Sequence, residues 1–435
     1  MGKIICNIFK VGIYALLLTY PTLAQAAPLE LSLEDSIRLA LQNNPTVKVA
    51  LSEQERTSWG IHSALAGRGL AMTMTHTDSR GRDAPSSSDP NPRVEDNHDN
   101  SVSLLYSLYT GGKVDSQVNQ AKLSLASADW GVEKARQQVK FDATSAYFSI
   151  LQTNSVLALD KESVSQLERH VEVARKQNSA GMVALTDVLR SEIELVNAQQ
   201  SQMKSQKDYD LAIVNLNNII GLPKSSQITI KDDMGYKKYN PSLDELIQYA
   251  VKNRPNAIQA LNDVKLARES VIVAQSDNLP SVTLRASANA YDAVLPGDKN
   301  FNWSVGLVTS WNILDAGLTK SKVKQAQSSV NTAIDQVHQI QDSIEVDVRS
   351  AFLSLSEAEK RIGTTEVAIK KAEQNYKIAQ IQYLAGIGTN LDVIDAQTAL
   401  TQSKVNYVQA LYDYNTSKAK IDWAVGYPIV AAVMH

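Results

Sequence analysis

Apolar residues recur every three or four positions over two long stretches of the chain, about 115–179 and 320–384. This heptad spacing predicts long α-helices that pack along an apolar seam. Each stretch ends near a glycine, Gly181 or Gly386, and a shorter helical pattern continues to about residue 220 or 425. We therefore expect two long helical hairpins, 115–220 and 320–425.

Four shorter segments are strand-like, 70–78, 101–109, 281–291 and 302–313, and the first of them alternates clearly between apolar and polar residues. Their lengths match those of tilted strands that cross a bilayer. The polar stretch 79–100 is expected to be a long solvated loop. Four strands from one chain cannot close a barrel of useful size, so membrane strands of this kind would need several chains to share one barrel.

The two halves of the chain repeat each other. "SLEDSIRLALQNNP" at 32–45 returns as "SLDELIQYAVKNRP" at 242–255, and beyond residue 108 the halves match at a constant offset of 205 residues. Each opening predicts a helix that starts with a capping box, Ser32 with Asp35 and Ser242 with Glu245, and stops before a proline. Second helices are expected at about 46–67 and 256–276. These features predict two structural repeats, 28–230 and 231–435.

Residues 1–27 have the pattern of a secretory signal peptide. Lys3 and Lys10 supply positive charge, an apolar run covers 11–18, and Ala24-Gln25-Ala26 has the small-residue spacing of a cleavage site. A membrane anchor is the alternative, but the run is too short to span a bilayer as a helix. The sequence therefore predicts export from the cytoplasm.

Residue types that carry chemistry are sparse and scattered. Five of the six histidines are expected at the surface or in loops, and none has metal-ligand spacing. No phosphate-binding loop or nucleophile elbow is present, and the one cysteine, Cys6, lies in the predicted signal peptide. The formal net charge of −3 argues against a nucleic-acid partner. We expect no catalysis, cofactor or metal.

The order of helix, helix, strand pair, long helix, glycine turn and returning helix, written twice, resembles the TolC family of outer-membrane efflux and secretion channels. The most specific motifs are "LYTGGKVDSQVNQA" and "LDAGLTKSKVKQAQ" at the strand-to-helix junctions, and "AGMVALTDV" and "AGIGTNLDVIDA" at the turns. The resemblance implies a mostly α-helical homotrimer. Its helical barrel would be continuous with a 12-stranded β-barrel in the outer membrane, to which each protomer gives four strands.

The implied function is export through the outer membrane from a tunnel that extends into the periplasm. The implied partners are a periplasmic adaptor (membrane fusion) protein, an inner-membrane transporter and outer-membrane lipid. Drug efflux and type I protein secretion both remain open as the transport task. The alternative from another class is a periplasmic coiled-coil adaptor or scaffold without a pore, which the four strands disfavour.

The resemblance also assigns roles to residues at the turns. Asp392 and Asp395 match acidic residues that ring the entrance, and Tyr383 matches a tyrosine that bonds to an aspartate, here Asp187, to hold the entrance closed. Gly388 stands where the best-known form of the family has an arginine in this lock. The adaptor is expected to dock at Gly181, Met182, Gly386, Ile387, Gly388 and Thr389. Helix capping is a second interpretation of Asp392, because an acid in the first turn of a helix is favoured by the macrodipole.

Overall fold

The computed structural model describes residues 29–82 and 94–428, and most of them are α-helical. The predicted signal peptide 1–27 and the middle of the predicted loop, 83–93, lie outside the described residues. Within the described ranges, none of the helices combines the length and the apolar character that a membrane crossing requires.

The helices of the two halves match in order and in length. The first half contains α1 (Leu33–Asn43), α2 (Pro45–Ala66), α3 (Lys113–Ser179) and α4 (Leu185–Ile220). The second half contains α5 (Leu243–Asn253), α6 (Pro255–Ser276), α7 (Leu318–Leu384) and α8 (Asn390–Val425). The long helices α3 and α7 each have 67 residues, and the returning helices α4 and α8 each have 36.

The predicted capping box is present at only one of the two openings. The amide of Asp35 donates to Ser32 Oγ at 3.1 Å, and the Asp35 carboxylate accepts from the backbone of Ser32. Ser242 makes no side-chain cap bond, so the second predicted box is wrong. The backbone differs at the two residues, with ψ of 168° at Ser32 and 122° at Ser242.

Two short strands, β1 (Leu29–Leu31) and β4 (Ile228–Ile230), pair with each other in parallel. The four longer strands are β2 (Leu70–Arg82), β3 (Val94–Tyr109), β5 (Ser281–Asp292) and β6 (Asn300–Ser310). They form one antiparallel sheet in the order β2-β3-β5-β6. Among the described residues, the outer strands β2 and β6 each have a neighbour on one side only. The sheet therefore ends in two open edges.

Three strand ends differ from the predicted bounds by three residues or more. β2 continues past residue 78 and β3 begins before 101, because polar residues of the expected loop pair across the ladder, Ser79 with Asn97 and Arg80 with Asp96. β6 ends at Ser310, although the pattern predicts a strand to 313. Ser310 pairs with Ser281, the first residue of β5, so the residues beyond Ser310 have no partner in the described sheet.

The register gives the sheet one apolar and one polar face, because side chains alternate along each strand and paired residues share a face. The apolar face carries Leu70, Met72, Met74, Val102, Leu104, Tyr106, Leu284, Ala286, Ala288, Trp303, Val305 and Leu307. The polar face carries Thr73, Thr75, Ser101, Ser103, Ser287, Asn289, Asn302 and Ser304. The apolar face is largely exposed in the chain, and Trp303 is 70% exposed.

The helices pack side by side in a layer. One buried cluster joins α1, α3 and α4 around Tyr147 and Leu216, and a second joins α5, α7 and α8 around Leu355 and Tyr414. α3 also packs against α6 and α8, and α6 packs against α7. The long hairpins therefore lie in the order α4, α3, α8, α7, with α4 and α7 at opposite edges.

Candidate functional site

The turn between α3 and α4 depends on one glycine with a left-handed backbone. Gly181 has φ of +75°, a conformation that residues with a Cβ rarely adopt. The amide of Met182 donates to the Gln177 carbonyl at 2.9 Å, and Asn178 Nδ2 donates to the Val183 carbonyl at 2.8 Å. These bonds satisfy the end of α3 and leave the Met182 side chain exposed.

The turn between α7 and α8 is built in the same way around Gly386, with φ of +76°. The amides of Ile387 and Gly388 both donate to the Gln382 carbonyl at 3.0 Å. A Cβ at Gly388 would lie 2.9 Å from Gln382 Cβ and 3.0 Å from Tyr383 N. The backbone around Gly388 therefore has no room for a side chain. This is the position at which the best-known form of the resembled family has an arginine.

Asp392 closes a capping box at the start of α8. Its amide donates to Thr389 Oγ1 at 3.1 Å, and its carboxylate accepts from the Thr389 hydroxyl at 2.6 Å and amide at 3.0 Å. The hydrogen bond from the Thr389 hydroxyl is the larger cause, and that from the Thr389 amide the smaller, of a lowered pKa at Asp392. The exposed carboxylate is thus ionised and caps the helix, which supports the capping interpretation. Asp395 is also exposed, and no cap bond involves it.

The expected bond between Tyr383 and Asp187 is not formed in this structure. The Tyr383 hydroxyl is buried, and no hydrogen-bond partner for it lies among residues 29–82 and 94–428. The pKa of Tyr383 is raised mainly by burial and to a smaller extent by the charge of Asp187. The two groups are thus close enough to interact electrostatically, and their role as a lock stays a prediction.

A buried polar network that the sequence did not reveal joins three helices behind these turns. His170 Nε2 of α3 donates to Asn390 Oδ1 of α8 at 2.6 Å, and Ser191 Oγ of α4 donates to the same oxygen at 3.1 Å. Asn390 Nδ2 donates to the Asp187 carbonyl at 2.9 Å, which sets the orientation of the amide and hence the His170 tautomer.

His170 is only 7% exposed, and burial lowers its pKa, so the ring is neutral at pH 7. Its ring centroid lies 5.2 Å from that of Tyr383. The sequence holds a signal for this position, since His170 shares a helix face with Leu167 and Ala174, both on the heptad seam. A cavity of about 240 Å³ adjoins the pair, between α3 and α7.

The remaining turn residues lie at the surface. Gly181, Met182, Gly386 and Thr389 are exposed, and Ile387 is 79% exposed. In the described part of the chain, no cluster of His, Cys, Asp or Glu side chains has the arrangement of a metal site. The site thus consists of two turns that expose the apolar side chains of Met182 and Ile387, with the ionised carboxylate of Asp392 at the start of α8.

Comparison with known proteins identifies the family. The profile described as "Outer membrane efflux protein" matches residues 36–222 and 246–427. The chain belongs to this family. It is therefore an outer-membrane efflux or secretion channel that extends into the periplasm, and no finding favours the adaptor or scaffold alternative.

Similar proteins span most of the chain at low identity. Outer membrane protein TolC of Escherichia coli (strain K12) is 25% identical over 342 residues, which cover 75% of this chain and 69% of the relative. Alkaline protease secretion protein AprF of Pseudomonas aeruginosa is 22% identical over 413 residues, 91% of this chain and 84% of the relative. The crystal structure of the Campylobacter jejuni CmeC outer membrane channel superposes with a TM-score of 0.80 at 16% identity, over 91% of this chain and 85% of that chain, and so shares the fold.

Proposed function

We propose that three copies of this chain form one channel, with a shared 12-stranded barrel in the outer membrane and a shared helical tunnel in the periplasm. The observation that carries this proposal is the pair of open edges on the sheet, β2 and β6. Unpaired strand edges invite association, and joining β6 of one copy to β2 of the next closes a ring without edges.

The two faces of the sheet support the same arrangement. The apolar face would contact outer-membrane lipid, and the polar face would line the lumen, as in membrane barrels whose strands alternate in this way. The chain would then consist of two structural repeats, each giving one strand pair and one long hairpin to the ring.

The helical layer has matching edges. α4 exposes a stripe of apolar residues at helical spacing, and α7 exposes another. The α4 stripe contains Leu185, Leu189, Ile193, Val196, Met203 and Leu211; the α7 stripe contains Val346, Leu353, Val367 and Ile381. In a closed ring the α7 stripe of one copy would pack against the α4 stripe of the next, which removes both from water.

At the tips of the hairpins, Asp392 and Asp395 would form an acidic ring around the entrance and favour cations. Tyr383 and Asp187 would help to hold the entrance closed, together with the buried network of His170 and Asn390. Opening would separate α8 from α3, so these contacts would break and the ring would widen.

The exposed turns would bind a periplasmic adaptor, which would connect the channel to an inner-membrane transporter. Gly181, Met182, Gly386, Ile387, Gly388 and Thr389 form this docking surface, and its apolar tips suit the groove of a partner coiled coil. The protein would act as a conduit, with no catalysis and no nucleic-acid partner. A family of efflux proteins and a relative named for protease secretion support small molecules and secreted proteins alike as cargo.

Single-channel recording in planar bilayers tests the entrance. Asp395→Asn removes charge without touching the cap, so we expect cation selectivity to fall. Thr389→Ala removes the cap hydroxyl and keeps the charge, so selectivity should stay while the tip becomes less ordered. Equal selectivity in wild type, Asp395→Asn and Asp392→Asn channels would refute the acidic ring, and wild-type protein without conductance would refute the channel.

A further inference from the structure

The polar face of the sheet carries one basic side chain among its neutral ones. Arg285 of β5 pairs with Leu105 of β3 and Gly306 of β6, so the three residues share this face. The other polar-face residues of the four described strands are uncharged, except Glu95 and Asp99 of β3. Arg285 is thus the only cation that the described strands place on this face.

The neighbouring residue fixes the side of the sheet to which Arg285 belongs. Leu284 pairs with Tyr106 and Leu307, within the apolar face. In a membrane barrel the apolar face contacts lipid and the opposite face lines the lumen, where an arginine stays hydrated. In a membrane barrel, Arg285 therefore points into the lumen.

The guanidinium of Arg285 has open space around it and no counter-charge beside it in the described part of the sheet. Arg285 is exposed, and no hydrogen bond or ion pair joins it to another residue of 29–82 or 94–428. A Cβ at Gly306 would meet nothing within 4 Å, so the surface beside Arg285 is open. Asp99 pairs with Tyr291, six residues further along β5, about 20 Å away at the usual strand rise. That separation exceeds the Debye length of about 10 Å at 0.1 M salt.

We propose that Arg285 determines selectivity in the barrel lumen, where three copies form a cationic ring that attracts anionic solutes bearing carboxylate or phosphate groups. This inference rests on the trimeric barrel proposed above. Guanidinium binds both groups through paired N–H donors, so the ring recognises their charge and their geometry. Since Arg285 is the fifth residue of β5, the ring lies near the tunnel end of the barrel, opposite in sign to the acids of the entrance.

Thiol labelling of the full-length trimer in proteoliposomes tests the orientation. Arg285→Cys and Leu284→Cys are matched neighbours on opposite faces, and both are made in a Cys6→Ser background, which removes the one natural cysteine of the sequence. A charged, membrane-impermeant methanethiosulfonate should label Arg285→Cys and leave Leu284→Cys unmodified. Labelling of Leu284→Cys with Arg285→Cys protected would overturn the proposal.

Reversal potentials in a KCl gradient test the selectivity, in an Asp392→Asn and Asp395→Asn background that removes the entrance acids. Arg285→Gln should raise the cation-to-anion permeability ratio about twofold at 0.1 M salt and leave it unchanged at 1 M, where screening is strong. Arg285→Glu should raise the ratio further, and adding citrate or inorganic phosphate should reduce current through wild-type channels more than through Arg285→Gln.

Asn289→Lys, two positions along the polar face, is the control for sensitivity. A shift with Asn289→Lys but none with Arg285→Gln would overturn the role of Arg285. If neither variant shifts the potential, charge in the barrel does not set selectivity and the proposal also fails. The absence of any conductance from the wild-type protein would instead be a failure of the proposed channel.

Discussion

At the scale of single residues, His170 is a buried titratable group beside the turns of the helical hairpins. It faces Asn390 of α8, and Arg169 of α3 with Tyr376 and Tyr383 of α7 line the adjoining cavity. Asp187 of α4 acts on Tyr383 from the other side. A proton on His170 would place a charge in this buried site, next to the positive end of the α8 dipole.

We therefore predict that acid loosens the tip. Burial lowers the pKa of His170 in this structure, while an exposed histidine titrates near 6.5. The stabilisation of the closed tip by neutral His170 is thus complete above pH of about 6.5. As the pH drops from there towards the lowered pKa of the buried ring, the equilibrium constant for closing falls by up to about tenfold per pH unit. Hydrogen exchange of the first α8 amides, corrected for intrinsic rates, measures this loss.

The matched variant for this prediction is His170→Gln, whose amide can donate to Asn390 and does not titrate. Its protection at the α8 start should be the same at pH 5.5 and pH 7.5. If the variant keeps the pH dependence of the wild type, another group is responsible and the assignment to His170 is wrong.

At the scale of elements, the sequence pattern predicts the long helices, whose bounds follow from the heptad period. It does not predict the full length of the strands, because strand ends depend on pairing with a partner strand. Heptad spacing predicted a helix over 115–179, and α3 runs from Lys113 to Ser179 because a long seam stabilises continuous helix. The polar ends of β2 and β3 were missed, since partners such as Arg80 and Asp96 meet only once the ladder is formed.

The candidate site shows the same division. The glycines and acids at the turns can be recognised from the local sequence, because glycine favours the left-handed backbone of a turn and an acid favours a helix cap. The bond between His170 and Asn390 joins residues 220 apart in the chain, so no local pattern announces it. Asp392 carries both interpretations in the sequence, and only the structure reveals that its carboxylate accepts the cap bonds.

The α7–α8 turn gives a prediction at this scale. Gly388→Ala would press a Cβ against Gln382 Cβ at 2.9 Å and Tyr383 N at 3.0 Å, and overpacking of this kind costs about 1–3 kcal/mol. We expect faster hydrogen exchange at 386–390 and more frequent opening in bilayers. Gly363→Ala in the middle of α7 is the control, since its Cβ meets nothing within 4 Å and alanine favours helix by about 1 kcal/mol. Unchanged exchange in Gly388→Ala would contradict the tight turn.

At the scale of the whole molecule, one chain leaves its lateral edges open in both layers. Val346 and Leu353 of α7 are seven residues apart and lie on the opposite side of the helix from the buried seam residues Ile344, Val348 and Leu355. A helix with apolar residues on two opposite sides suits a wall, in which it has a neighbour on each side. The sheet likewise has an edge strand on each side, β2 and β6. The sheet and the helices can therefore close around one axis only if the β2–β6 contact and the α4–α7 contact between copies form together.

The assembly therefore depends on the α7 edge, and Leu353→Asp should weaken it. Leu353 is 66% exposed in the single chain, and its burial between copies would be worth about 1.5–3 kcal/mol per interface, which a carboxylate there would forfeit. Because the ring repeats the interface three times, we expect native mass spectrometry in detergent to detect loss of trimer at protein concentrations where the wild type remains intact. Ser354→Asp introduces the same charge about 100° around the helix, away from the stripe, and should leave the trimer unaffected. A Leu353→Asp protein that stays trimeric as firmly as Ser354→Asp would mean that the α7 stripe faces something other than a second copy, and the closed ring would have to be built through different helices.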